Sequence, residues 1–253
     1  MLIVIDAGNT NIVGGVYEAG RLTDSFRIRT VAGKTEDEYG VVVSAVLKDR
    51  GVEPSKVDRV IISSVVPQLT ASVGKMARHV FGTEPALLNP STYGRLPIKV
   101  IATDEIGADL VADAMGAWTL FNEACLVVDF GTALTFTAVD GRGTIAGVAI
   151  APGLGTAAGS LSSATAQLPV VPLEAPSSAL GQNTVQAIQA GVVLGYTGLV
   201  ERLVGNMKAE LGGAKVVATG GLCRVLSGLT DAFDAVEPNL TLDGLAAMEP
   251  YLF

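Results

Sequence analysis

Residues 2–20, LIVIDAGNTNIVGGVYEAG, decide how the rest of the chain is read. Leu2 to Ile5 form an unbroken apolar run, the pattern of a strand buried on both faces. The run ends on a carboxylate, Asp6, followed by Ala7, Gly8 and the small polar residues Asn9, Thr10 and Asn11. Apolar character returns from Ile12 and Val13 to Tyr17, a partner strand, with Glu18-Ala19-Gly20 as the next turn. Leu22 to Thr30 alternates and predicts a third strand. A turn between strands that contains Gly8 exposes successive backbone amides, and Asn9, Thr10 and Asn11 add side-chain donors. Such a nest suits a polyphosphate. Asp6 could hold Mg²⁺ directly or through water, because hard cations take oxygen ligands. The same residues also fit a plain β-turn with an Asx cap.

The pattern restarts at 125–143, CLVVDFGTALTFTAVDGRG. Both stretches share one frame: apolar run, Asp, any residue, Gly, a polar segment with Thr, a second strand and a Gly-containing turn. Asp129 matches Asp6. Self-similarity at about half the chain length indicates two copies of one folding unit. Two acid-glycine turns from duplicated domains could grip a single nucleotide.

The remaining elements fit an α/β chain. TEDEYGVVVSAVLKDRG reads as a helix, with capping-box spacing between Thr35 and Glu38 and a stop at Gly51. VDRVIISSVVP is a buried strand, and Pro67 opens a helix that ends near Gly82. A helix is expected over ATDEIGADLVADAMGAWTLF, with acids in its first turn where the dipole favours them. The second half predicts a strand at 144–151, a small-residue helix at about 155–167, a long helix at 183–211, the strand KVVATGG and a last helix near Thr241. Domains are expected at 1–118 and 119–253.

Composition narrows the function classes. The 253 residues are 49% hydrophobic and 17% charged, which indicates a folded globular protein. The net charge of −8 and the lack of basic runs argue against nucleic-acid and anionic-membrane surfaces. Cys125 and Cys223 read as reduced core thiols, and the single His79 cannot build a zinc site alone. The opening run is not a signal peptide, because Asp6 cuts it short. Thr144 to Leu173 is uncharged, but its glycines, prolines and serines break any spanning helix. A cytoplasmic protein is the expectation. Two phosphate-loop patterns are incomplete: Gly33-Lys34-Thr35 lacks its upstream glycine, which falls on Ile28, and the Gly153, Gly155, Gly159 spacing is one residue too wide. Glu105, Asp109 and Asp113, at i, i+4 and i+8, place a row of acids on one helix face, either a solvated face or the seat of a base.

Eight short motifs occur in an order that resembles the type III pantothenate kinases, within the acetate kinase, sugar kinase, Hsp70 and actin superfamily. They are Asp6-Ala-Gly-Asn-Thr-Asn11, Thr35-Glu-Asp-Glu-Tyr39, Ile62-Ser-Ser-Val-Val-Pro67, Gly107-Ala-Asp109, Val127-Val-Asp-Phe-Gly-Thr132, Ile150-Ala-Pro-Gly153, Gly181-Gln-Asn-Thr184 and Ala218-Thr-Gly-Gly221. The resemblance spans essentially the whole chain. It implies two ribonuclease H-like (actin-like ATPase) domains with a cleft between them. It further implies that Asp6 to Val13 form the ATP phosphate loop, that Thr132 is a second phosphate contact and that Asp129 holds a monovalent cation, K⁺ or NH₄⁺. Asp109 would be the base for the pantothenate hydroxyl, within a substrate segment Gly107, Ala108, Asp109 and Leu110. Thr184 would contact substrate across a homodimer interface. ATP with Mg²⁺ would supply the phosphoryl group, and the product would be 4′-phosphopantothenate, the entry to coenzyme A.

Three positions depart from that family. Arg usually follows Gly-Ala-Asp and holds the pantothenate carboxylate; here Leu110 stands there. Val100 replaces a tyrosine, and Val148 replaces a glycine. Leucine cannot imitate a bidentate guanidinium contact, although Lys99 or Arg95 could supply a point charge. The nucleotide half of the site therefore reads as intact and the acceptor half as altered. Two further readings follow: a kinase for a different small hydroxyl compound, and a nucleotide-binding regulatory relative without turnover. The presence of Asp6, Asp109, Asp129 and Thr132 together favours an enzyme.

Overall fold

The opening stretch forms β1 (Leu2–Ala7) and β2 (Asn11–Glu18), antiparallel and in register from Leu2 opposite Tyr17 to Ala7 opposite Ile12. Ala19 and Gly20, with φ of 48° and 75°, turn the chain into β3 (Arg21–Arg29). Positive φ at both turn residues gives a hairpin whose twist matches that of the flanking strands. The glycine pair in β2 has a packing role: a Cβ on Gly14 would lie 2.2 Å from the Phe26 ring. Next come α1 (Glu36–Asp49), β4 (Arg59–Ser64), α2 (Pro67–Phe81), β5 (Ala86–Leu87), α3 (Pro90–Tyr93) and α4 (Ala108–Phe121). Both capping-box bonds of α1 are present, and α2 starts on Pro67 and stops at Gly82, φ 69°.

The computed structural model describes residues 1–165 and 167–253, and the chain divides into two units. The first comprises Met1–Thr119 and Leu240–Phe253. Its sheet has the order β3-β2-β1-β4-β5, with β4 parallel to β1. Alternation along β1 sends Ile3, Ile5 and Ala7 into a core with Tyr39, Val43 and Leu47 of α1 and Leu69, Val73 and Met76 of α2. Leu2, Val4 and Asp6 take the opposite face.

The second unit, Leu120–Asn239, repeats that arrangement. It contains β6 (Cys125–Phe130), β7 (Ala133–Val139), β8 (Ile145–Pro152), α5 (Leu154–Ala164), α6 (Thr184–Gln189), α7 (Gly195–Leu211), β9 (Lys215–Thr219), α8 (Cys223–Leu226) and β10 (Ala235–Val236). The sheet order β8-β7-β6-β9-β10 matches the first sheet strand for strand, again with a three-strand antiparallel meander and two parallel neighbours. Duplicated topology is thus present in the backbone. The small-residue helix ends at Ala164; the part of the expected 155–167 span at residue 166 lies outside the described residues. A π-helical turn, Ala190–Leu194, joins α6 to α7. Among the described residues this combined helix, Thr184–Leu211, is long and apolar enough to cross a membrane. However, its Val193, Val200 and Val204 lie in the second core, and Glu201, Arg202, Lys208 and Glu210 charge its later turns.

Two expectations are placed differently. The chain end, expected with the second domain, folds onto the first unit as α9 (Leu240–Ala247) and α10 (Glu249–Leu252). Small residues allow this: a Cβ on Gly244 would meet the Ala112 carbonyl at 1.9 Å, and one on Gly116 the Leu240 carbonyl at 2.7 Å. Tyr17 also donates to Asp243 at 2.6 Å, and Thr241 to Asp113 at 2.6 Å. Secondly, α4 begins at Ala108 rather than at 102. Ala102 has φ 52°, outside the helical region, and a separate turn spans 102–106. Glu105 is therefore exposed and outside the helix, while Asp113 is only 1% exposed. The three acids do not form a solvated row.

Candidate active site

The first turn is tightly held. The Gly8 amide donates to the Asn11 carbonyl at 3.0 Å, and Thr30 clamps the turn from β3's end. The Thr30 hydroxyl donates to the Gly8 carbonyl at 2.7 Å and its amide to the Thr10 carbonyl at 3.0 Å. Asn9 and Thr10 are exposed, while Asp6, Gly8, Asn11 and Val13 are half-buried. Ala7 and Ile12 point into the core, so only their backbone could serve a ligand.

Asp109 stands in the first turn of α4. One carboxylate oxygen, Oδ1, accepts the Leu110 amide at 2.8 Å. A Cβ on Gly107 would lie 2.4 Å from that oxygen, so the carboxylate folds back over the space beside Gly107. Burial pushes the Asp109 carboxyl above the ordinary carboxylate range, and backbone hydrogen bonds at Leu110 and Asp109 oppose the shift. Tyr93 is buried close enough that, after burial itself, the Asp109 charge further raises its phenol. Ala108 and Leu110 are buried; Leu110, 8% exposed, is a core residue.

The second turn has a different brace. The Thr132 carbonyl accepts the Gly153 amide at 3.0 Å and the Thr156 hydroxyl at 2.7 Å. This seats the start of α5 against the turn. A Cβ on Gly153 would be 2.3 Å from the Gly131 carbonyl oxygen, so nothing larger than glycine fits. Asp129 lies between two glycines: an added Cβ on Gly131 would lie 3.5 Å from Asp129 Oδ2, and one on Gly220, φ +87°, 2.3 Å from Oδ1. Asp129 is flanked in register by Thr135 and Thr219. Both threonine hydroxyls are buried without a hydrogen-bond partner. No cluster of three or more His, Cys, Asp or Glu that could hold a metal occurs among the described residues.

Thr184 opens α6 and is exposed, next to Asn183, whose side chain caps the helix by accepting the Gln186 amide at 2.9 Å. It lines a cavity of about 550 Å³ with Leu161, Leu168, Gly181, Asn183 and Val192. Asp6, Asp109, Asp129 and Thr132 are not part of that lining. The residues that sequence reasoning passed over are Thr30, Ser63, Thr135, Gly153 as a packing position, and Thr219. Gly153, Ser63 and Thr219 sat inside quoted motifs, but a motif does not say which member touches what. Cys125 and Cys223 are free and buried, and burial lifts the Cys125 thiol to about 12.

Comparison with known proteins agrees with this geometry. The family model described as type III pantothenate kinase matches residues 2–206. A protein of Treponema pallidum (strain Nichols) named type III pantothenate kinase is 44% identical, covering 97% of this chain and 92% of that one. One of Myxococcus xanthus (strain DK1622) with the same name is 42% identical, covering 97% and 96%. Among solved structures, a ROK family glucokinase from Streptomyces griseus in complex with glucose and AMPPNP superposes with a TM-score of 0.52 at 15% identity, covering 98% of both chains. The ethanolamine utilization protein EutJ from Carboxydothermus hydrogenoformans gives 0.55 at 12% identity, covering 97% and 88%. These two likenesses speak for the fold, the sugar-kinase and actin-like arrangement of paired ribonuclease H-like units. By the family match and by its identity to these relatives over nearly its whole length, the chain belongs to the type III pantothenate kinases.

Proposed function

We propose that this chain transfers the γ-phosphoryl group of ATP to the primary hydroxyl of pantothenate, giving 4′-phosphopantothenate in coenzyme A biosynthesis. The observation that carries the reading is the half-buried Asp109 carboxylate, oriented by the Leu110 amide at 2.8 Å and raised by desolvation. Such a group is suited to orient a hydroxyl and accept its proton late in transfer. The Asp6 to Asn11 turn and Thr132 position the phosphates through backbone amides and short side chains. Asp6 would hold Mg²⁺, and Asp129, with Thr135 and Thr219 beside it, a monovalent cation; bound cations offset the charge of the phosphates. The protein acts in the cytoplasm, as expected of a metabolic kinase.

A homodimer completes the proposal. Leu180 and Val185, close to Thr184 in the chain, expose apolar surface, and the family role of Thr184 is exercised across a dimer interface. Burying that surface against a second copy removes it from water. Light scattering of the purified protein checks this: a mass near twice 25.9 kDa is expected, and a monomer at micromolar concentration removes the dimer role of Thr184.

One observation favours a second reading. Leu110 packs into the core, so the carboxylate contact expected from arginine there must come from elsewhere, or the acceptor carries no carboxylate. ATP consumption measured with pantothenate and K⁺, beside a panel of hydroxy acids and hydroxy amides, separates the two. Turnover with pantothenate supports the first reading; turnover confined to uncharged acceptors supports the second.

A further inference from the structure

A carboxylate buried on an apolar helix is a poor device for stability, because desolvating the charge can outweigh what its partners return. The helix α4 carries one. Asp113 is 1% exposed, and its neighbours Val111, Ala112, Ala114 and Met115 are buried with it. It follows Asp109 by one helical turn and so shares a face of α4 with it. Asp113 Oδ1 accepts the Thr241 hydroxyl of α9 at 2.6 Å. A hydrogen bond is directional where apolar packing is not, so this contact fixes the rotation of α4 about its axis. Sliding is blocked as well. A Cβ on Gly244 would lie 1.9 Å from the Ala112 carbonyl oxygen, and one on Gly116 2.7 Å from that of Leu240, so the two helices meet backbone to backbone.

The helix α9 is tied in turn to the strands of the first phosphate turn. Asp243 Oδ1 accepts the Tyr17 hydroxyl at 2.6 Å. Tyr17 is 4% exposed; burial first, and then the Asp243 charge, raise its phenol, so it stays a donor. It sits on β2, which leaves the turn at Asn11 and pairs along its length with β1, which enters the turn at Ala7. All these residues belong to the first unit. They form one series: Asp109 and Asp113 on α4, Thr241 and Asp243 on α9, Tyr17 on β2, then the Asp6 to Asn11 turn. Near the start of α4, by contrast, a Val65 methyl carbon lies 3.4 Å from where a Gly107 Cβ would be, an apolar contact that sets no angle.

We infer that Asp113, Thr241 and Tyr17 are positioning residues for phosphoryl transfer: α9 is a bracket that holds the Asp109 carboxylate at a set distance and angle from the first phosphate turn. The inference rests on the reading of Asp109 as the base and of that turn as a phosphate site. A reacting group misplaced by about 1 Å loses on the order of 100-fold in rate, so a bracket that prevents smaller shifts has a measurable effect. The buried carboxylate, unhelpful to stability, is explained by the angle it sets.

The test removes the two hydroxyls separately and together. Thr241→Val and Tyr17→Phe each delete one and keep volume nearly constant, while Thr241→Ser retains it. ATP turnover with pantothenate is measured below the melting temperature of each variant. It is expressed per chain that binds a non-hydrolysable ATP analogue with Mg²⁺ in calorimetry, so misfolded chains are not counted. Thr241→Val and Tyr17→Phe are each expected to lower kcat about tenfold, the weight of a base displaced by a fraction of an ångström, with analogue dissociation constants within about twofold of the parent. Thr241→Ser is expected to retain most of the parental kcat. Because the two bonds lie in series, the double variant is expected to lose little more than either single one, whereas independent effects would multiply. Parental kcat in either single variant, whatever its melting temperature, overturns the inference, since the bonds then serve the fold. So does a loss that Thr241→Ser shares, that analogue affinity shares, or that multiplies in the double variant. Asp109→Asn run in parallel separates two failures. Lost transfer in Asp109→Asn with parental kcat in Thr241→Val and Tyr17→Phe refutes only this inference; undiminished transfer in Asp109→Asn refutes the reading of the base beneath it.

Discussion

Gly107→Ala is the smallest change that moves the proposed base without removing it. The added Cβ would stand 2.4 Å from Asp109 Oδ1, whereas non-bonded heavy atoms settle at about 3.5 Å. The carboxylate must therefore retreat by about 1 Å, and as the mobile end of a side chain it can. Gly107 is not among the positive-φ glycines, so the backbone accepts alanine, and its carbonyl still receives the Val111 amide at 3.3 Å. The stability cost is set at about 1 kcal/mol or less by replacing glycine at a helix start. Displacing a catalytic group by about 1 Å costs on the order of 100-fold in rate, or about 2.7 kcal/mol of barrier. Steady-state ATP turnover with pantothenate is expected to show kcat down about 100-fold, with analogue affinity and melting temperature near those of the parent. Full turnover in Gly107→Ala, with a crystal structure showing the carboxylate displaced, would refute the placement of Asp109 at the reacting hydroxyl.

The other predictions concern protons and turns. Asp109 is raised by burial, so the acid limb of kcat is expected above the usual carboxylate range, and Asp109→Asn is expected to abolish transfer while keeping nucleotide binding. A carboxyl whose folded pKa exceeds its unfolded one favours the fold while protonated and loses that advantage as pH rises through the folded value. Asp109→Asn is therefore expected to melt higher than the parent at pH 7 and to lose that margin in acid; thermal scans across pH check both signs. Gly153→Ala drives a methyl into the Gly131 and Thr132 carbonyls at 2.3 and 2.6 Å. It is expected to cost about 1–3 kcal/mol in denaturant unfolding and to weaken nucleotide binding, because the backbone of the second turn must shift.

The fold was legible where the code is local. Apolar runs ending on Asp6 and Asp129 gave both meanders, and the Thr35–Glu38 box and Pro67 gave two helix starts. The repeated topology followed from the matching of two stretches alone. What stayed hidden depends on distant contacts. Nothing in residues 240–253 says that Gly244 slots against Ala112, so the sequence places the chain end with the second domain while the structure folds it onto the first unit. Ala102 at φ 52° shows no breaker in the sequence, so α4 was started too early and three acids were aligned that the structure separates. The strand-end positions of Asp6 and Asp129, each before a glycine turn, were legible from the sequence. Their supporting contacts were not: the Thr30 clamp and the Asp129 seat over Gly220 arise only when strands far apart in sequence pair.

The central claim, carried from the proposed function, is that the Asp6 turn and the Asp129 turn each contribute to nucleotide binding. Titration calorimetry of a non-hydrolysable ATP analogue with Mg²⁺ tests it directly, using the parent, Asp6→Asn and Asp129→Asn. The account predicts one analogue per chain in the parent and a large loss of affinity in each variant. Parental affinity in either variant would contradict it.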